Sequence, residues 1–174
     1  GLITLNQLRI DEAVSWDSSE TNLYRYQRLN EVVPHIDHME GRFPNSPDNY
    51  PVRAVLESYR GNCARFAAYD ADDAGDTAEA ERLYRVSLVH YEAMKAANGV
   101  YIKPDDDPTA FTNLKYTYFS DIASSHAGLN EIEKATSALK EARSAVDAML
   151  IKDKDDRTAQ LRVLALARIE QTIL

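Results

Sequence analysis

The sequence predicts an all-α fold built from antiparallel helical hairpins, and three observations carry that expectation. Apolar residues recur at three- and four-residue steps along several long stretches, the spacing that lines one face of a helix. The 174 residues include only six glycines and six prolines, while alanine, the best helix former, is abundant. One stretch also repeats another at a constant offset, as stacked helical units do.

The elements follow in order. Leu2, Leu5 and Leu8 share one side of a short helix over 2–14. Trp16 then falls in a turn, and Asp17, Ser18 and Ser19 are N-cap residue types. A helix over about 20–40 carries Leu23, Tyr26, Leu29 or Asn30, Val33, Ile36 and Met39 or Glu40, with Pro34 inside it. That proline removes a backbone bond and crowds the carbonyl four residues back, which predicts a kink near Asn30. The segment 41–51 is a loop, punctuated by Gly41, Pro44 and Pro47, with Pro51 suited to a first helical turn. The next helix covers 51–72 on a stripe of Val55, Tyr59, Cys63 and Phe66, with Leu56 and Ala67 beside it. Gly61 in its middle costs about 1 kcal/mol relative to alanine, and close packing against a neighbour explains its presence. After a corner over 70–76, Asp76 or Thr77 caps a helix over 77–98. Ala80, Leu83 or Tyr84, Ser87, Leu88, Tyr91 and Met94 mark its inner side, and Asn98-Gly99 ends it.

A polar connector over 100–108 leads into the clearest pattern in the chain, 108–150. Its first helix steps through Phe111, Leu114, Tyr118, Phe119, Ile122, Ala123 and His126. Its second steps through Ile132, Ala135, Leu139, Ala142, Val146 and Met149. Neither helix can bury its stripe alone, so each needs the other and a further neighbour. A charged link after Met149 leads to a last helix over 156–174 with Leu161, Leu164, Leu166 or Ala167, Ile169 and Ile173.

The offsets can be read directly. Ala80, Tyr84, Ser87, Tyr91, Ala93 and Met94 precede Ala135, Leu139, Ala142, Val146, Ala148 and Met149 by 55 positions each. Asn62, Cys63 and Ala64 precede Asp121, Ile122 and Ala123 by 59, a difference of four assigned to a longer corner at DADD. Phe119, Ile122 and Ala123 precede Val163, Leu166 and Ala167 by 44.

The run Phe119, Ile122, Ala123, His126, Ala135, Leu139 and Ala142 resembles the tetratricopeptide (TPR) repeat, in an extended variety found in bacterial multidomain proteins. Small residues at Ala123 and Ala135 are the places where such hairpins bring two backbones close. His126 stands where the family prefers an aromatic, and no proline ends the second helix near Asp147, which predicts a longer helix. The resemblance implies one domain over 1–174, a short right-handed TPR-like solenoid of six or seven helices. Its units are about 1–50, 51–104 and 108–152, with a partial unit over 156–174. It also implies a scaffold that holds a peptide or partner domain in a concave groove, with no catalysis of its own. The alternative it allows is a regulatory or sensor domain of a larger bacterial signalling protein, a kinase or transcription regulator. Arg60, Lys115 and Tyr116 are the residues expected to face the groove. The ten tyrosines either line that groove or fill the space between long helices, and Tyr59, Tyr84, Tyr91, Tyr116 and Tyr118 fall on or beside the repeat faces.

Charge bounds the partners. A formal net charge of −8 and a pI near 5.0 argue against a nucleic-acid surface, which needs a basic face. No apolar run reaches the roughly 20 residues needed to span a bilayer. A soluble chain is therefore expected, with the cytoplasm the preferred compartment and a homo-oligomer allowed through the apolar end at Ile173-Leu174. The chain opens on Gly-Leu-Ile without methionine and closes inside an apolar helical pattern, so the expectation is a piece of a longer protein.

No cofactor or metal is expected. His35 and His38 share a helix face near Asp37, Glu31 and Glu40, but no third ligand stands at a telling spacing, which favours a solvated or core-edge pair. Cys63 lies on an apolar stripe without a base nearby and reads as a small buried hydrophobe. The acidic run 70–76 lacks the alternating ligands and closing glutamate of a calcium loop and reads as a solvated, helix-capping turn. His126 reads as a hydrogen-bonded packing residue. His90, beside Tyr91, is expected to face solvent or the next repeat. Phosphate loops, G-x-S-x-G elbows and Cys-x-x-Cys pairs do not occur.

Overall fold

A computed structural model of the chain describes residues 34, 37–39, 41–42, 50–101, 108–152 and 157–173. The helix expected over 2–14, most of the one expected over 20–40, the caps at Asp17 to Ser19, the kink near Asn30, His35 and most of the loop expected over 41–51 lie outside the described residues; residues 41, 42, 50 and 51, expected in that loop, are helical. Every described residue is helical except two three-residue corners, 74–76 and 129–131, and no strand occurs among them. Five helices result: α1 (Tyr50–Asp73), α2 (Thr77–Tyr101), α3 (Pro108–Gly128), α4 (Ile132–Lys152) and α5 (Arg157–Ile173). None of the described helices is long and apolar enough to cross a membrane. The chain divides into two compact units, Gly1–Asn98 and Gly99–Leu174.

In the first unit α1 and α2 form a hairpin. Leu56, Tyr59, Phe66 and Ala68 of α1 are buried, as are Ala80, Tyr84, Ser87, Tyr91 and Met94 of α2. The α2 positions advance by four, three, four and three, so they form one unbroken inner face. Tyr59 and Phe66 of the expected α1 stripe are buried and Cys63 is half-buried, whereas Val55 is 39% exposed and Leu56, expected beside the stripe, is buried in its place. The ring of Tyr91, wholly buried, lies against the α1 backbone at Gly61, so closely that an added Cβ would stand 2.4 Å from its Cε1. The glycine is thus a seat for an aromatic ring, and α1 turns the Gly61 side toward α2.

Both corners use one construction. Gly75, at φ 79°, donates to the Asp72 carbonyl at 2.9 Å, and Asp76 N–H donates to the Ala71 carbonyl at 2.8 Å. Asn130, at φ 56°, donates to the Ala127 carbonyl at 2.9 Å, and Glu131 N–H donates to the His126 carbonyl at 2.9 Å. These paired bonds around one left-handed residue are the Schellman helix ending, which satisfies carbonyls the helix leaves open. Asp76 then caps α2, its Oδ1 accepting from Glu79 N–H at 3.1 Å.

The corners correct one expectation. Gly75 and Asn130, and Asp76 and Glu131, are 55 apart, the same offset as the second helices. The corners therefore have equal length, and DADD is not an inserted loop: residues 70–73 are the last turn of α1. The core positions of the first helices keep the larger offset, with Tyr59, Ala64 and Phe66 buried 59 positions before Tyr118, Ala123 and Ser125. α1 holds one more helical turn than α3 between its core and its corner, about the four residues that the offsets require.

In the second unit α3 and α4 pair along their length. Lys152 Nζ at the end of α4 donates to Thr109 Oγ1 at the start of α3, at 3.1 Å, so the helices run antiparallel. Tyr118, Ile122 and Ala123 of α3 are buried with Ala135, Leu139, Ala142 and Val146 of α4, as the stripes predict. Ala138 and Ala145 widen the α4 face, while Ile132 is 39% exposed because it opens the helix beside the corner. Three further buried residues of α3 are serines, Ser120, Ser124 and Ser125. Each turns its hydroxyl back to a carbonyl of the preceding turn, at 3.1 to 3.2 Å, and so enters the core without an unpaired donor. α5 packs on α4 and, less extensively, on α3. Its inward residues are Ala159 and Leu166, whereas Leu161 and Leu164, expected on the buried stripe, are 58% and 61% exposed.

Helix ends differ slightly from expectation. α2 runs through Asn98-Gly99 to Tyr101, since one glycine costs about 1 kcal/mol and does not by itself stop a helix. α4 continues past Met149 to Lys152, a cation that suits a helix C-terminus.

Candidate functional site

The three residues expected at a groove each have a partner within the chain. Lys115 Nζ on α3 lies 2.8 Å from Glu141 Oε2 on α4, and this hydrogen bond holds the Glu141 carboxyl below its ordinary range. Tyr116 is one position further along α3 and turned by about 100°. It faces α5, where the Arg162 guanidinium sits 4.5 Å from its ring centroid, a cation–π contact. Lys115 and Tyr116 thus serve different neighbours. Arg60 belongs to the first unit and pairs with Asp37.

Arg162 is the residue that sequence reasoning missed. Its Nη1 donates to Asn113 Oδ1 of α3 at 2.6 Å and lies 3.0 Å from Met149 Sδ of α4. Together with the Tyr116 ring, it ties three helices through one planar cation. The available signal was an arginine at the α5 position between Leu161 and Val163, inside an apolar pattern.

A second cluster was also illegible beforehand. Tyr91 Oη donates to Asn62 Oδ1 at 2.9 Å and accepts from Arg65 Nε at 3.0 Å, while Arg65 Nη2 donates to the same Asn62 oxygen at 3.1 Å. The closed ring of bonds satisfies the hydroxyl of a buried tyrosine. Arg65 lies over the rings of Phe66 and Tyr69, and Tyr69 meets Tyr84 edge-on at 5.9 Å. Tyr84 Oη donates to Asp72 Oδ2 at 2.7 Å; burial and then that bond push its phenol far above the ordinary range. Tyr59, Tyr84, Tyr91 and Tyr118 are therefore core residues, and Tyr116 alone of the five considered is half-buried.

The remaining chemistry-bearing side chains brace helices. His90 Nδ1 lies 2.7 Å from Glu57 Oε2, across the α1–α2 hairpin, so it faces α1 rather than solvent. Glu57 also pairs with Arg53 at 3.2 Å. His126 Nδ1 lies 2.6 Å from Glu131 Oε2, a side-chain strut across the corner whose backbone bond joins the same two residues. Burial opposes ionisation of Glu131, but hydrogen bonds from Lys134 and His126 outweigh it and leave its carboxyl below the usual range. Burial pushes the Cys63 thiol up to about 11, so it is a thiol rather than a thiolate at neutral pH. His38 is exposed. Among the described residues no three His, Cys, Asp or Glu side chains converge as a metal site would require.

These features define an all-helical protein whose polar side chains knit helix to helix. Comparison of the chain with protein-family models, with curated proteins and with solved structures finds no match.

Proposed function

We propose that the chain is a TPR-like helical-repeat scaffold that holds a peptide or a partner domain and performs no catalysis of its own. The observation that carries this reading is the repeated hairpin. Two corners of one construction are 55 residues apart, and Ala80, Tyr84, Ser87 and Tyr91 are buried at the positions of Ala135, Leu139, Ala142 and Val146. A repeated unit that adds a third helix, α5, onto the second hairpin supports growth by stacking. Side chains that serve as nucleophiles or bases elsewhere support the same reading, since His90, His126 and Cys63 are engaged in bracing or burial. Lys115 and Tyr116 remain accessible enough for a partner to exchange the Glu141 and Arg162 contacts for its own.

The test uses the immobilised chain to capture partners, identifies them, and measures affinity for each with Lys115→Ala and Tyr116→Ala after circular dichroism has shown both variants folded. Weakening of about tenfold is expected for a residue that contributes about 1.4 kcal/mol. Affinities unchanged in both variants would remove the groove assignment.

A further inference from the structure

α5 has two opposed faces. Ala159 and Leu166 point inward, with Arg162 between them in the helical turn. The outer face carries Arg157, Leu161, Leu164 and Arg168, all exposed, at steps of four, three and four. Those steps place the four side chains in one row about 16 Å long. Two leucines, 58% and 61% exposed, thus lie between two guanidinium groups. Arg157 and Arg168, like Arg42 and Arg143, have no carboxylate partner among the described residues, but only they flank an exposed apolar pair on one helix face. In a chain with a net charge of −8, α5 itself carries Arg157, Arg162 and Arg168 against the one carboxylate of Glu170.

We propose that this outer face of α5 docks a partner helix that presents an apolar pair flanked by carboxylates at matching steps. The pattern selects this occupant over a second copy of the same face. Antiparallel pairing of two α5 helices would set Arg157 against Arg168 at both ends, and parallel pairing would set each arginine against its own counterpart; like charges in either arrangement oppose association. A carboxylate at each end of the partner converts both repulsions into charge-assisted bonds, which arginine makes in bidentate form. The leucines supply the apolar area, and the arginines fix the offset along the helix. The repeat points the same way. At the 44-residue offset Leu164 and Arg168 occupy the places of Ser120 and Ser124, which are buried in α3. Part of the corresponding face is therefore buried in α3, where Asn113 and Thr117, the counterparts of Arg157 and Leu161, are half-buried.

The face is separate from Lys115 and Tyr116, so its failure leaves the groove reading standing. The test is fluorescence anisotropy of the full chain with a labelled synthetic alanine-based helical peptide carrying Glu, Leu, Leu and Glu at steps of four, three and four. Saturable binding is expected, weakened by salt. It should fall about tenfold or more when lysine replaces both glutamates of the peptide, and equally with Leu164→Glu. The double variant Arg157→Glu/Arg168→Glu should reverse the preference toward the lysine peptide, and it leaves the leucines in place should Leu164→Glu disturb the fold. Absent binding, equal binding of both peptides, or self-association of the chain abolished by Leu164→Glu would each overturn the proposal.

Discussion

Replacing Gly61 by alanine sets two known effects against each other, and the geometry decides the sign. In an exposed helix the change would stabilise by about 1 kcal/mol, because alanine is the better helix former. Here the new Cβ would stand 2.4, 2.7 and 2.9 Å from Cε1, Cδ1 and Cζ of Tyr91. The ring cannot swing aside freely: it is wholly buried, and its hydroxyl is held by Asn62 and Arg65. Overpacking of this kind costs about 1–3 kcal/mol, and displacing the ring also loosens two hydrogen bonds, one to a charged group, each worth about 1 kcal/mol or more. The balance is a destabilisation of about 2 kcal/mol, which for a chain of this size lowers Tm by roughly 4–8 °C. Thermal unfolding followed by circular dichroism measures it. The companion variant Tyr91→Leu removes the ring, and in that background Gly61→Ala should reverse sign and stabilise by about 0.5–1 kcal/mol. A higher Tm for Gly61→Ala alone would refute the reasoning, because helix propensity would then outweigh the ring contact.

Other substitutions isolate single causes. Gly75→Ala meets no atom within 4 Å, so its cost is conformational alone, about 1–2 kcal/mol for an alanine at φ 79°; urea unfolding reads it, and an unchanged midpoint would contradict the Schellman corner. Burial, then the neighbouring Asp73, raises the Asp70 carboxyl above its ordinary range. A raised folded-state value penalises the ionised fold, so the penalty is absent below the unfolded value and complete above the folded one. Asp73→Asn, which also removes an anion from a helix C-terminus, should therefore stabilise by about 0.3–1 kcal/mol at pH 7, and the gain should vanish below about pH 4, the unfolded aspartate value. With its thiol raised to about 11, Cys63 should react with iodoacetamide at pH 8 at least about tenfold more slowly in the folded chain than in urea; equal rates would show that it is not shielded.

Much of the architecture was legible because it rests on spacing. The helix over 108–128 and the inner faces of α2 and α4 follow from periodicity, and the 55-residue offset reappears in the corners as well as in the buried positions. The misreadings have local causes. Val55 and Leu56 are adjacent apolar residues, and periodicity alone does not say which of them turns inward. The serines of α3 read as polar yet are buried, because a hydroxyl bonded to its own helix needs no outside partner. Leu161 and Leu164 read as core because leucine usually is, but Arg162 occupies the inner side through bonds that no spacing rule anticipates. The groove residues were the least legible: a single sequence cannot say which of many exposed charges will find a mate, and Lys115 and Tyr116 found theirs on α4 and α5.

The inward hydroxyls of α3 have a last implication for how α4 finds its place. Ser120, Ser124 and Ser125 donate to carbonyls of their own helix, so these three donors set no directional bond toward α4. Such a contact tolerates sliding. What prevents slippage is three fixed points, the tight turn at Asn130, the Lys115–Glu141 ion pair between them and the ammonium of Lys152 on Thr109, much as hinge, catch and bolt hold a door whose edges merely touch its frame.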